Sequence, residues 1–275
     1  MNTSDRSDPE EIHEFVCDLA RRVGELQLSR YENPGKVREK APKDIVTEVD
    51  LLCEDLMVNA IRERYPEDAI LSEEQGGEIS STGRTWLLDP VDGTANYARG
   101  NPLFCACVSV LEWNTVTHAA VAVPRLGDLY HASLEGGAYR DSSAGSAPLR
   151  VSDTGKLEYA FFGADLSFRG NGGAGPRRVL SAAWQFRALG SAGVRGAWLA
   201  AGYLDVSIGT RNTAWDYAPT ALLVPEAGGR ATDLSGGPWT HASDGLVATN
   251  GRLHAEVLEK LVSTPPEGGL SARSG

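Results

Sequence analysis

The nine residues Trp86-Leu87-Leu88-Asp89-Pro90-Val91-Asp92-Gly93-Thr94 constrain this chain more than any other stretch, because an apolar run there leads two carboxylates into a Gly-Thr turn. Trp86, Leu87 and Leu88 read as the end of a buried strand, and Pro90, lacking an amide hydrogen, predicts that the chain leaves the sheet there. Asp89 and Asp92 then emerge where strand meets loop. Hard divalent cations such as Mg²⁺ take oxygen ligands, and two carboxylates around a turn can converge on shared ions with the Val91 carbonyl between them. Gly93 lets backbone approach a ligand closely, and a helix starting near Thr94 would aim free amide hydrogens at a phosphate.

Charge narrows the partners. A formal charge of −11 over 275 residues excludes the basic footprint that a nucleic-acid or anionic-membrane surface requires. An acidic protein that binds a phosphate ester needs local positive charge, and metal ions held by the acidic cluster would supply it. The N-terminus has no apolar core for a signal peptide, and no run approaches the ~20 residues of a membrane helix, so a cytoplasmic location is expected. Cys17, Cys53, Cys105 and Cys107 show neither zinc-ligand nor redox spacing and read as buried reduced thiols. His13, His118, His131, His241 and His254 fall in no motif, so structural or solvated roles are expected and histidine nucleophiles are not.

Apolar periodicity predicts an amphipathic helix over residues 10–28, a charged Pro/Gly-rich loop over 31–42, a second helix over 49–65 and a short strand over 69–72. Asp50 would sit near the second helix's N-terminus, where a carboxylate is favoured. Short β-type runs over 104–111, 116–123 and 128–132 suggest antiparallel hairpins. From about residue 149 strands and helices alternate: strands at 159–164, 186–189, 204–208, 231–234 and 245–249, helices at 177–184, 192–201, 214–227 and 253–261. We therefore expect an N-terminal α+β half, residues 1–150, an α/β half, residues 151–262, and a disordered tail, residues 263–275.

Four co-ordered motifs together resemble the inositol monophosphatase family: Asp44-Ile45-Val46-Thr47-Glu48-Val49-Asp50, Leu71-Ser72-Glu73-Glu74, the Asp89–Thr94 segment, and Trp215-Asp216-Tyr217-Ala218-Pro219 followed by Glu226-Ala227-Gly228-Gly229. The resemblance implies a layered αβαβα sandwich, a homodimer, and Mg²⁺-dependent, lithium-sensitive hydrolysis of a small phosphate monoester by cation-activated water. It assigns Glu73, Asp89 and the Val91 carbonyl to one Mg²⁺, and Asp89, Asp92 and Asp216 to a second, with a weaker third position near Glu73 to which Asp50 would contribute. Thr94, polarised by Asp50, would orient the attacking water, and amides around Gly93, Thr94 and Ala95 would hold the phosphate. Gly190, Ser191 and Ala192 resemble the segment lining the alcohol pocket, Asp216 borders the same pocket, and the family's loop lysine corresponds to Lys40 or Lys43. Glu74, alternating in direction beside Glu73, reads as a supporting or solvent-facing residue as readily as a ligand, and Asp44 as a cap or partner of loop backbone.

One departure bears on the substrate. Animal inositol enzymes carry a glutamate shortly before the Trp-Asp motif, whereas Gly209-Thr210-Arg211-Asn212-Thr213-Ala214 has no acid, leaving Arg211 or Asn212 to face the alcohol. Histidinol phosphate, or a nucleoside or aminosugar phosphate of a specialised biosynthesis, is the alternative substrate. Haloacid-dehalogenase-like phosphatases are excluded because their two aspartates stand two apart, not three as in Asp89 and Asp92. A non-catalytic metal-binding protein is the remaining reading, and retention of Thr94 and Asp50 counts against it.

Overall fold

The computed structural model describes residues 8–42, 44–164, 173–211 and 213–262. Lys43, Asn212 and the tail at 263–275 lie outside the described residues, as does most of the Gly-rich stretch before residue 173. Among the described residues, no helix is long and apolar enough to cross a membrane.

Two helices open the chain. In α1 (Pro9–Arg30), Asp8 accepts a hydrogen bond from the Glu10 amide at 3.1 Å, Pro9 occupies the first turn, and Ile12, Val16, Leu19, Ala20 and Val23 form the buried stripe. A charged ribbon, β1 (Val37–Ala41) paired antiparallel with β2 (Asp44–Thr47), follows. The ribbon replaces the loop expected over 31–42. Every residue of β1 is exposed, so the strand has no apolar alternation to read, only backbone pairing. α2 (Glu48–Arg64) then starts on a capping box in which Thr47 and Asp50 each satisfy the other's backbone.

The large sheet comprises β3 (Ala69–Ser72), β4 (Gly76–Gly77), β5 (Arg84–Asp92), β6 (Cys105–Glu112), β7 (Thr115–Val123), β8 (Asp128–Ser133), β9 (Gly137–Ser142) and β10 (Gly145–Pro148) in the spatial order β10-β9-β8-β7-β6-β5-β3-β4. All neighbours are antiparallel except β3 and β5. Alternation along the strands divides the core: Trp86, Leu88, Ala106 and Val108 pack with α1 and α2, while Leu87, Cys105, Cys107 and Val121 face the opposite layer.

β5 corrects the expectation at Pro90. The strand runs on to Asp92 because Asp89 pairs with Cys107 and Asp92 with Cys105, three steps on β5 against two on β6. This is a bulge, where a residue without an amide hydrogen costs no ladder bond. On the other side, pairing with β3 has already ended at Leu88.

In the second half, β11 (Phe161–Ala164), β12 (Gln185–Arg187), β13 (Val206–Gly209), β14 (Arg230–Thr232) and β15 (Leu246–Thr249) form a mixed sheet ordered β12-β11-β13-β15-β14. Helices α5 (Ala192–Ala200) and α6 (Ala214–Glu226) fill the space between the sheets, where Val194, Ala197, Tyr217 and Leu222 join Cys107, Val121, Leu246 and Ala248 in one cluster. The small residues of α5 have a packing reason: a Cβ on Gly196 would collide with the Thr220 side chain of α6. α4 (Ala174–Ala182) and α7 (His254–Val262) cover the outer face, with Val179 and Val257 against Phe162, Ile208 and Val247. Between α2 and the hairpins lies the five-residue α3 (Thr94–Ala98). Helices, sheet, helices, sheet, helices is the expected αβαβα sandwich.

Candidate active site

Three carboxylates converge where the two sheets meet. Oxygens of Asp89 and Asp92, delivered by the β5 bulge, and of Asp216, in the first turn of α6, all lie within 4.8 Å of one another. Their surroundings differ. Asp92 is cradled by the start of α5: Ser191 Oγ and the Gly193 amide donate to Oδ2 at 2.6 and 2.5 Å, the Ala192 amide donates to Oδ1 at 3.1 Å, and Cys105 Sγ approaches Oδ2 at 3.3 Å. The free amides of a helix N-terminus suit an anion. Asp89 accepts from the Val91 amide at 3.0 Å, and Asp216 from Thr213 Oγ1 at 2.7 Å.

Crowding shows in the acidities. Burial, then the charges of Glu73, Asp92 and Asp216, push the Asp89 carboxyl well above its usual range. Asp216 is pushed up to about 7 by burial and by Asp92. Burial raises Asp92 as well, against the pull of its donors from Ser191, Gly193 and Ala192. Like charges held this close disfavour joint ionisation unless a cation joins them. The donor set is all oxygen, which fits a hard divalent cation, and the Val91 carbonyl lies in the same bulge.

Beside the acids stands a hydroxyl held by a fourth carboxylate. Thr94 Oγ1 lies 3.0 Å from Asp50 Oδ1 and 2.9 Å from the Val91 carbonyl. Asp50 is fully buried, and its Oδ2 accepts from the Thr47 amide at 3.0 Å and Thr47 Oγ1 at 2.5 Å. Burial raises its pKa above the usual carboxylate range, against the pull of these donors. Gly93 caps α3 at φ 92°, in the left-handed region, and a Cβ there would press on the Leu103 and Gly190 carbonyls at 3.0 and 3.2 Å. Asn96 ties this turn to the second half by donating to the Leu103 and Leu189 carbonyls at 2.6 and 2.8 Å.

Glu73 and Glu74 share Lys40, whose Nζ lies 2.9 Å from Glu73 Oε1 and 2.6 Å from Glu74 Oε1. Lys40, one of the two lysines considered, thus reaches the acids, and Lys43 lies outside the described residues. Alternation along the chain does not send Glu74 to solvent, since its side chain is only 5% exposed. The turn carrying both glutamates rests on Glu54 of α2, whose Oε1 accepts from the Glu74 and Gln75 amides at 3.1 Å each.

The structure therefore brings together Asp50, Thr94, Val91, Asp89, Asp92 and Asp216, with Glu73 close enough to raise Asp89. Ser191 and Ala192, expected in the alcohol pocket, bond Asp92, and Gly190 packs its backbone against Gly93 and Asn96. Arg211 is exposed, and Asn212 lies outside the described residues. Sequence reasoning missed the Asp92 cradle, Cys105 and Glu54. Ser191 ahead of a small-residue helix was a readable cap signal, and Thr47 three residues before Asp50 a readable capping box. Glu54 carried no signal, being one more acid on a helix.

A profile of the Inositol monophosphatase family matches residues 8–265. The chain belongs to this family. It is 32% identical over 247 residues to a Thermotoga maritima fructose-1,6-bisphosphatase/inositol-1-monophosphatase, covering 90% of this chain and 94% of the relative. It is 33% identical over 251 residues to a histidinol-phosphatase of Mycobacterium tuberculosis, covering 88% and 95%. A solved inositol monophosphatase of Thermotoga maritima superposes with a TM-score of 0.82 at 31% identity, over 91% of this chain and 96% of that one. The protein is a phosphatase, a hydrolase of phosphate esters.

Proposed function

We propose that this chain hydrolyses a small phosphate monoester with Mg²⁺ as cofactor, two or three ions per site. The observation that carries the reading is the convergence of Asp89, Asp92 and Asp216 within 4.8 Å beside the Thr94–Asp50 pair. Glu73, Asp89 and the Val91 carbonyl would hold one ion, and Asp89, Asp92 and Asp216 a second. When bound, such ions lower the pKa of water and neutralise charge on the leaving oxygen.

The protein's own groups do the rest. Thr94 Oγ1, directing its proton to Asp50 Oδ1, turns a lone pair outward to orient a water for in-line attack. Asp50 keeps that hydroxyl polarised because Thr47 stabilises its charge from the far side. Amides of the Gly93 turn would hold the phosphate, and Asp92, fixed by α5, cannot swing away when the charge around it changes. Residues 1–150 would supply most ligands, residues 151–262 Asp216 and the alcohol pocket, and the unit in solution would be a homodimer.

For the substrate, the acid-free run Gly209-Thr210-Arg211-Asn212 favours an alcohol other than inositol, and the histidinol-phosphatase relative makes an amino-alcohol phosphate the first to try. Phosphate release should be measured across inositol, histidinol, sugar and nucleoside monophosphates, with Mg²⁺ and with chelator. Magnesium-dependent release from at least one ester, inhibited by Li⁺, is expected. No release from any of them, a generic aryl phosphate included, would defeat the assignment, and inositol phosphate clearly in first place would defeat the substrate preference.

A further inference from the structure

Far from the carboxylates in the fold, α1 and β8 bring two imidazoles and a thiol together. His13 and Cys17, one turn apart on α1, face His131 of β8, and one nitrogen of each ring and the sulfur lie within 4.8 Å of one another. His13 Nε2 is 2.9 Å from His131 Nδ1 and 3.7 Å from Cys17 Sγ. These separations are close to those that ligands at ~2.0–2.1 Å (nitrogen) and ~2.3 Å (sulfur) adopt around one tetrahedral zinc ion. The remaining His131 nitrogen, Nε2, lies 3.4 Å from Asp141 Oδ1, and Arg21 holds the same carboxylate at 2.5 Å. A carboxylate behind a ligating imidazole fixes its orientation.

One further observation bears on access. A cleft of about 490 Å³, lined by Pro9, Glu10, His118, Ser133 and Leu134, has His13 in its wall.

We propose that His13, Cys17 and His131 form a second metal site, selective for a borderline-soft divalent cation such as Zn²⁺, with solvent from the cleft as the fourth ligand. One thiolate and two neutral imidazoles disfavour Mg²⁺ and suit zinc, so the site is chemically separate from the all-oxygen cluster. Its ion would staple the N-terminal half of α1 to the large sheet. Burial pushes the free Cys17 thiol up to about 12, so binding near neutral pH must release that proton to the buffer as the sulfur–metal bond forms.

The test uses the full chain, stripped of metal and then saturated with Mg²⁺ to occupy the carboxylates. Co²⁺, a spectroscopic substitute for zinc, should bind one equivalent, show a thiolate-to-cobalt charge-transfer band, and be displaced by Zn²⁺ with release of about one proton. Cys17→Ser should abolish the band, and His13→Gln should weaken Zn²⁺ binding at least ~10-fold, a conservative change on a partly exposed helix position that keeps the fold testable. Cys107→Ser controls for the thiols beside Asp92. A band that survives in Cys17→Ser but disappears in Cys107→Ser, or no band in the parent protein at all, would overturn the proposal.

Discussion

Two buried polar sites differ in how far the protein completes them. At His254, the first residue of α7, both ring nitrogens are satisfied: Nε2 lies 3.0 Å from Thr232 Oγ1 and Nδ1 3.1 Å from Thr249 Oγ1. Thr232 in turn donates to the Asp233 carbonyl at 2.9 Å, and Thr249 Oγ1 accepts from the Gly251 amide at 3.0 Å. The network closes on itself and clamps α7 to the small sheet. At the junction of the sheets the reverse holds. Asp92 is well supplied with donors, but Asp89, held by the Val91 amide, and Asp216, held by the Thr213 hydroxyl, crowd against it. A site built for structure satisfies its polar groups from within, whereas one built for a cation leaves charge for the ligand to neutralise.

The sharpest way to break this contrast is Asp89→Asn. Turnover should fall by more than ~10³-fold, because the neutral amide would lack the charge to hold the proposed ions, while the volume hardly changes. In chelator the thermal midpoint should be equal or higher, since a carboxylate repelled by Asp92, Asp216 and Glu73 has been removed. Near-normal kcat at saturating Mg²⁺ would show that the acids do not act as a cation site.

Thr94→Ala should cost less, ~10²-fold in kcat, as expected for a group that positions the attacking water. Calorimetric Mg²⁺ affinity should survive. Retained kcat with lost Mg²⁺ affinity would place Thr94 among the ligands instead.

At His254 the expected effect is on stability. Burial, then Arg230, lowers its pKa from 6.5 to about 4, so between these values the unfolded chain binds a proton that the folded protein refuses. Stability from this group is therefore complete above 6.5 and is lost as pH falls toward 4, reaching about 2 kcal/mol by pH 5. Denaturant titrations of parent and His254→Gln should converge as the pH drops, and parallel curves would refute the closed network.

Ser191→Ala is the smallest change. It removes both the cap of α5 and a donor to Asp92, and should destabilise the metal-free protein by ~1–2 kcal/mol. An unchanged midpoint in chelator would mean that Asp92 does not depend on the helix end for its charge.

Much of this was legible in the chain because local rules govern it. Alternating apolar residues such as Trp86, Leu87 and Leu88 had to divide between two faces of one strand, and the stripe from Ile12 to Val23 had to cover one of them. The proximity of Asp89, Asp92 and Thr94 was legible for the same reason, since six residues of contiguous sequence carry them. Other features follow only from distant contacts. Pro90 stays in its strand because the β6 partner accepts a bulge and β3 has already ended, and neither fact is local to Pro90. Lys40 meets Glu73 because an exposed ribbon without apolar pattern carries it there. Glu54 supports the glutamate turn, Ser191 and the α5 amides hold Asp92, and Cys17 meets His131 across more than a hundred residues, each through packing that no spacing rule encodes. Residue type and period determine which groups can do the chemistry, and only close packing of remote segments decides which of them share a site and which are satisfied within the protein.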